Sequence, residues 1–382
     1  MSAQQRVNVG IIGGGLMGKE VAAAFGRWIA LSDHPVRPEL THVCDINPSA
    51  LNWFDRVPSV VTRTTDYHDL LGPDGPEVLY IAVRHDLHER IYVDAIAAGK
   101  SVLGEKPFGI DLRSAQAIVD TVERHPESFV RCSSEMPFFP GAQAAIARIA
   151  SGSLGRIIEA HCGFSHSGDF DVTKPINWKR QAKYCGENGV LNDLGMHVLH
   201  IPLRLGWLPE RVFAVLQDLV PSRPGPDGTP VACDTIENAT LLCTVRDRSD
   251  GEPVFPLHLT TKRIDPGQKN SWSLRVLGMD GGVGFSTRYP KTLNVMTVDN
   301  GEQVWQEVEM GSQSAFATVT GGIFEVGFPD AIQQMWASFL AECAGQLGDA
   351  FGCATPHEAL DSHRVFAAAF DSSARSAAVP LP

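Results

Sequence analysis

RVNVGIIGGGLMGKEVAAAFGRW, residues Arg6 to Trp28, joins a strand-like apolar run, a glycine-rich turn and a helical run without a break. Gly13, Gly15 and Gly18 fit the spacing G-x-G-x-x-G, with Leu16 and Met17 in its variable places. The spacing carries weight only between a first strand and the helix it opens, and both flanks are present. Glycines there let the backbone turn tightly and approach a pyrophosphate. The phosphate charge then meets free N–H groups and the positive end of the helix dipole. The alternative, an ordinary glycine-rich turn, gives way to the βαβ pattern that continues beyond it.

Short apolar runs follow at Leu40 to Asp45, Glu77 to Val83, Ser101 to Glu105 and Phe129 to Glu135. Helical stretches separate them. In RSAQAIVDTVERH, Ala115, Ile118, Val119 and Val122 share one face, the 3.6-residue period suited to packing on a sheet. Alternating strands and helices imply a doubly wound parallel sheet, a Rossmann-type α/β domain over residues 1–135. Past the helix GAQAAIARIASG the texture changes to longer strands at Arg156 to Phe164, Arg211 to Val220, Asn238 to Arg246 and Ser271 to Gly278. Strands without intervening helices suggest a second α/β domain, 136–382, on a large, mostly antiparallel open sheet. PSRPGPDGTP, Pro221 to Pro230, is expected to be an exposed loop.

At 382 residues two domains are the default, and 43% hydrophobic with 20% charged content is ordinary for a soluble chain. The net charge of -12, with no basic stripe, argues against nucleic acid. No run approaches the roughly 20 apolar residues of a membrane span. With no targeting segment in the first residues, a cytoplasmic location is expected. The 8 cysteines include no Cys-x-x-Cys pair and are expected to be reduced and mostly buried.

Asp45 closes the second strand, where a carboxylate can accept hydrogen bonds from ribose hydroxyls and repel a 2′-phosphate. NAD is therefore favoured, while Arg37 and Arg56 keep NADP open. SVLGEKPFG places Glu105 and Lys106 at the carboxyl end of another strand of that sheet, where ligands bind in open α/β folds. GVLNDLGMHVLH, Gly189 to His200, sets Asp193, His197 and, less squarely, His200 along one short helix. Three roles fit: hydrogen-bonded core histidines, metal ligands with help from His161 and His166, or an acid/base pair.

Gly13 to Gly18, Glu105-Lys106-Pro107 and Asp193-x-Gly195-x-His197, in that order, resemble the Gfo/Idh/MocA family, the glucose-fructose oxidoreductase and inositol dehydrogenase group. The likeness extends to AIAAGKSVLGEKP, SGSLGRI, Trp178 and ATPHEAL, and so to nearly the whole chain. The resemblance implies that Lys106, Asp193 and His197 are catalytic and that the Lys106-Pro107 peptide is cis; a lysine ammonium at the reacting end can stabilise an alkoxide itself, so no metal is expected. It implies hydride transfer between nicotinamide and a secondary hydroxyl of a sugar, inositol or related polyol. It also implies a homo-oligomer, dimer or tetramer, built through the C-terminal sheet. Arg84, His88 and Glu105 join the glycine loop and Asp45 as candidate cofactor contacts. Glu135, His166, Trp178, Arg180 and His200 are candidate substrate contacts.

The chain departs from the family pattern at three places. Arg84-His85 replaces a common Thr-Pro pair, an arginine is missing from SSEMPFFP, and His200 stands where an aspartate is frequent. An NAD-dependent glycosidase working by transient oxidation and a non-catalytic dinucleotide sensor are the alternatives. The presence of both Lys106 and His197 weighs against the sensor.

Overall fold

The computed structural model describes residues 4–246 and 254–382. Two sheets carry the fold. The first is parallel and six-stranded: β1 (Gln5–Ile12), β2 (Val36–Cys44), β3 (Thr62–Thr64), β4 (Val78–Ile81), β5 (Ser101–Gly104) and β6 (Val130–Cys132), in the order β3-β2-β1-β4-β5-β6. The order reverses between β1 and β4, which opens a crevice at their carboxyl ends. Helices Leu16–Gly26, His88–Ala97 and Leu112–Arg124 cover its faces. On the last of these Ala115, Ile118 and Val119 are buried, as the period requires.

Two departures from the sequence expectations lie in this sheet. β3 is too short and polar to show in the pattern, and β2 begins at Val36, ahead of the apolar run at Leu40, and runs through Pro38. β3 covers only His42 to Cys44, so Pro38 lies where β2 has an uncovered side and a missing N–H is tolerated.

The second sheet uses β7 (Ile157–Ser165), β8 (Pro209–Gln217), β11 (Asn238–Arg246), β12 (Val254–Lys262), β13 (Ser271–Gly278), β14 (Gly281–Ser286), β15 (Thr292–Asp299), β16 (Glu302–Glu309) and β17 (Val379–Pro380). Its order is β16-β15-β14-β13-β7-β12-β11-β8-β17, antiparallel except where β12 pairs parallel with β7. β9 (Ser222–Pro224), inside the stretch expected to be a loop, pairs as a separate ribbon with β10 (Pro230–Ala232), which begins at the last residue of that stretch. Arg223, at the centre of β9, is buried and donates to the backbone oxygens of Asp169 and Asp171, which gives so Pro-rich a segment an anchor.

The inner face of the nine-stranded sheet packs on helices Pro140–Ala150, Val190–Arg204 and Pro356–Arg375. Gly195 allows the last two to meet, since a Cβ there would lie 2.4 Å from the Phe366 ring. Along β7 and β12 the side chains alternate as a pleated sheet demands. Ala160, Cys162, Phe164, Leu257 and Leu259 face the core, while Glu159, His161 and His258 face outward.

The chain ends by returning over the first sheet. Helix Phe328–Cys343 puts Trp336 against Phe25 and Tyr80, Arg131 donates to Glu342 over 3.1 Å, and Cys132 pairs with Ala354. Helix Pro356–Arg375 lies against both Leu112–Arg124 and β8, so it touches both sheets' layers. All 8 cysteines are free thiols, and only Cys343 is exposed. No helix among the described residues is long and apolar enough to cross a membrane.

Candidate active site

A cavity of about 950 Å³ runs from the glycine loop to the N-terminal turns of helix Val190–Arg204. At one end it is lined by Gly13, Gly15, Leu16, Met17 and Asp45, and at the other by Lys106, Glu135, His166, Trp178, Lys179, Asp193 and His197.

The glycine-loop end fits a dinucleotide. Gly13 has φ +110, and a Cβ there would lie 2.2 Å from the Ala82 oxygen. Gly18 does not reach the cavity. A Cβ at Gly18 would meet the Gly13 oxygen at 2.2 Å, so this glycine seats the helix on the turn. Gly15 faces open space and caps Leu16–Gly26 with no side chain, which leaves the first amides of that helix available to an anion. Asp45 follows β2 with one carboxylate oxygen accepting from Gly14 N–H at 2.8 Å and the other from Asn47 N–H at 2.8 Å. It is thereby held at the lip of the cavity. Arg56 stacks on Trp53 at 5.0 Å and is not part of the lining.

At the other end the side chains are organised around Asp193. The Lys106-Pro107 peptide is cis. Lys106 Nζ donates to the Asp193 backbone oxygen at 2.7 Å and to its carboxylate at 3.1 Å. Lys179 donates to the same carboxylate oxygen at 2.8 Å, and Arg263 reaches the other at 3.0 Å. Burial alone would raise the Asp193 carboxyl, but Lys179, Lys106 and Arg263 hold it well below the ordinary range. Burial opposes the Lys106 ammonium, yet Asp193, Glu105 and Glu135 raise it above its usual value. Both groups are therefore charged at neutral pH. Lys179 differs, because burial outweighs Asp193 and its ammonium is lowered.

His197 lies one turn beyond Asp193 on the same helix and is 2% exposed. Its Nδ1 is 3.3 Å from Ser134 Oγ and 3.7 Å from Glu135 Oε2, and the Phe164 ring meets it edge-on at 5.2 Å. Burial, reinforced by Lys106, pushes the imidazole well below its ordinary value, so it is neutral at pH 7. Burial and Glu105 together raise the Glu135 carboxyl to about 7.

Several expected site residues stand elsewhere. His200 is a correction. It is fully buried beside Phe351, away from the cavity, because it falls on the core side of the helix, which continues through Pro202 to Arg204. Burial drives its imidazole down to about 3. Arg180 is a second correction. It is 1% exposed, 3.1 Å from Asp169, and lies beneath the cavity wall. His88 is a third. Its two ring nitrogens engage the backbone oxygens of Pro107 at 2.7 Å and Val83 at 3.1 Å, so it braces the turn that carries Lys106. Glu105 reaches the lining, but its carboxylate already accepts from Tyr80 at 2.6 Å and Ser133 at 2.7 Å. Arg84 lines the cavity while paired with Asp86 at 2.9 Å and stacked on Tyr184 at 4.1 Å. His161 lies on the far face of the nine-stranded sheet, so neither it nor His200 joins His197.

Sequence reasoning missed Lys179 and Arg263. Lys179 stands between two residues that were singled out, Trp178 and Arg180. Arg263 offered no local signal, since its partner is 70 positions away.

Residues 7–131 match the model for an oxidoreductase family with an NAD-binding Rossmann fold, and residues 142–282 match the GFO/IDH/MocA C-terminal domain. The chain belongs to the Gfo/Idh/MocA family. It is 28% identical over 238 residues to the levoglucosan dehydrogenase of Pseudarthrobacter phenanthrenivorans, which is 61% of this chain and 59% of that one. It is 27% identical over 210 residues to the trans-1,2-dihydrobenzene-1,2-diol dehydrogenase of Sus scrofa, which is 54% of this chain and 58% of that one. These matches thus span less than two thirds of either relative. A solved levoglucosan dehydrogenase in complex with NADH and levoglucosan superposes with a TM-score of 0.88 at 22% identity, covering 99% of this chain and 100% of that one. At that identity the likeness is one of fold.

Proposed function

We propose that this chain is an NAD-dependent dehydrogenase that oxidises a secondary hydroxyl of a sugar, inositol or related polyol. The observation that carries this reading is a protonated lysine held by Asp193 and a neutral histidine one helical turn beyond it, at the far end of a cavity whose other end is a dinucleotide loop. The relatives named as levoglucosan and dihydrodiol dehydrogenases support the same substrate class.

Gly13, Gly15, Leu16, Met17 and Asp45 would hold the adenosine and pyrophosphate of NAD. When bound, NAD supplies a hydride acceptor. His197 accepts the proton of the substrate hydroxyl. Its Nδ1 faces Ser134 and Glu135, while Nε2 takes no hydrogen bond from the protein among the described residues and is the acceptor. Lys106 commits two of its protons to Asp193 and keeps a third for the substrate oxygen, where it stabilises negative charge. Asp193 keeps Lys106 charged and fixes it against the His197 helix. Glu135, placed behind His197, stabilises the imidazolium that forms. His166 and Trp178, both in the lining, are the substrate contacts.

Residues 1–135 form the dinucleotide-binding unit in this reading, and 136–382 the substrate and assembly unit. The exposed Phe213, Val215, Leu242 and Trp305 on the outer face of the nine-stranded sheet give a second copy an apolar surface to cover, so the chain forms a homo-oligomer there. A cytoplasmic location, where NAD is available in solution, goes with this reading.

The test is a screen of purified protein for NAD reduction against sugars, anhydrosugars, inositols and glycosides, with NADP in parallel. Net NADH formation on a polyol supports the reading. Glycoside cleavage without net NADH, or NAD binding with no turnover on any of them, overturns it.

A further inference from the structure

The outward face of the nine-stranded sheet carries a group of side chains that the proposed reaction does not use. β7 and β12 run parallel with His161 directly opposite His258 in register. Their imidazole rings stack with centroids 4.2 Å apart and planes 3° apart. Glu159, two residues before His161 and so on the same face of the pleat, has one carboxylate oxygen 2.6 Å from His161 Nε2 and the other 3.6 Å from His258 Nε2. The hydrogen bond from His161 holds this carboxyl below its ordinary range, so it is an anion. One ligand atom from each residue lies within 4.8 Å of the others, and all three are half-buried.

We propose that Glu159, His161 and His258 form a binding site for a late first-row divalent metal ion of the zinc class. Two imidazole nitrogens and one carboxylate oxygen are the donors such ions prefer, whereas magnesium and calcium take oxygen alone. A shared centre about 2.0–2.2 Å from both Nε2 atoms and the carboxylate requires the two rings, parallel as they stand, to turn their planes toward one another by rotation about their χ angles. Three protein ligands on one side leave the outward position for water or for a donor of the second copy that covers this face. A cation that acts on Glu159 is Arg275, the register partner of His161 on β13. Its guanidinium is drawn to the Trp305 ring, 5.8 Å from the centroid, on the side of the sheet away from β12. The site is on the opposite face of the sheet from Phe164, which lines the active-site cavity, so it is separate from the reacting groups.

Isothermal titration of chelator-stripped full-length protein with zinc chloride tests this, together with the visible spectrum of the cobalt-loaded protein. One zinc per chain is expected. His161→Ala, His258→Ala and Glu159→Gln should each weaken binding by more than about tenfold and remove the cobalt bands. Circular dichroism of the metal-free variants should match that of the metal-free parent, because all three side chains lie outside the core. Zinc uptake unchanged in all three variants assigns the ion elsewhere and overturns the proposal. So does a parent protein that takes up no zinc.

Discussion

At its glycine-loop end the cavity is lined by Gly13, Gly15, Leu16 and Met17, neighbours within one strand-to-helix turn. Its other end draws Lys106 from beyond β5, Glu135 from beyond β6, Lys179 from a turn and Asp193 and His197 from one helix, with Arg263, just past β12, buried behind Asp193. The first end works through backbone amides and needs little besides the absence of side chains. The second works through charge, with three cations around one buried carboxylate, and needs several remote segments in place together. The first should therefore tolerate loss of a charged side chain, and the second should not.

Asp193→Asn breaks that contrast most severely. It leaves Lys106, Lys179 and the fully buried Arg263 facing one another without an anion, and about 3–5 kcal/mol of stability should be lost. Denaturant unfolding measures it, and a loss under about 1 kcal/mol would show the three cations to be better solvated than their burial implies. His197→Ala should lower kcat by about 10²- to 10⁴-fold while NADH binding, followed by fluorescence, stays near the parent value. Lys106→Ala should cost about 10²- to 10³-fold in kcat, again with the dinucleotide retained. Near-normal turnover in either would remove that residue from the chemistry.

Glu135→Gln sharpens the comparison by titration. In the parent, ionisation of Glu135 as pH rises through about 7 favours a positively charged His197, so the rate of alcohol oxidation should rise through that region. The Gln variant should lose that limb of the pH profile. The stability sign is opposite. The folded carboxyl titrates above its ordinary 4.5, so the protein binds more protons folded than unfolded between about 4.5 and 7, and stability falls over that interval as pH rises. Glu135→Gln should flatten that slope. The smallest effect belongs to the other end. Asp45→Ala should shift the NADP-to-NAD ratio of kcat/KM by about tenfold or less, with little change in Tm.

The same contrast explains what could be read from residues alone. The glycine turn, the strand before it and the helix after it are contiguous, so one short window held strand, turn and helix signals together. Lys106, Asp193 and His197 were found through motif order, and the structure brings them to one cavity. Lys179 and Arg263 were not found, because a buried cation is meaningful only beside its anion, and no spacing announces a partner 70 residues distant. His200 and His88 were misplaced for a related reason. Helical phase put His200 only loosely on the face of His197, and the helix turns it into the core. The position of His88 matched, but its ring is taken up by two backbone carbonyls. β3 escaped because three polar residues on a sheet edge carry no hydrophobic period.

Because the final helices are sewn back onto the first sheet, through Trp336 against Tyr80, Arg131 with Glu342 and Cys132 with Ala354, the two halves are not pages on a spine. Swinging them apart would strip apolar surface from both at once. Traffic in and out is left to the rim, where Leu16, Asn270 and Phe328 stand. The span between ammonium and imidazole is thus fixed when the polypeptide folds and does not need to be rebuilt on each turnover.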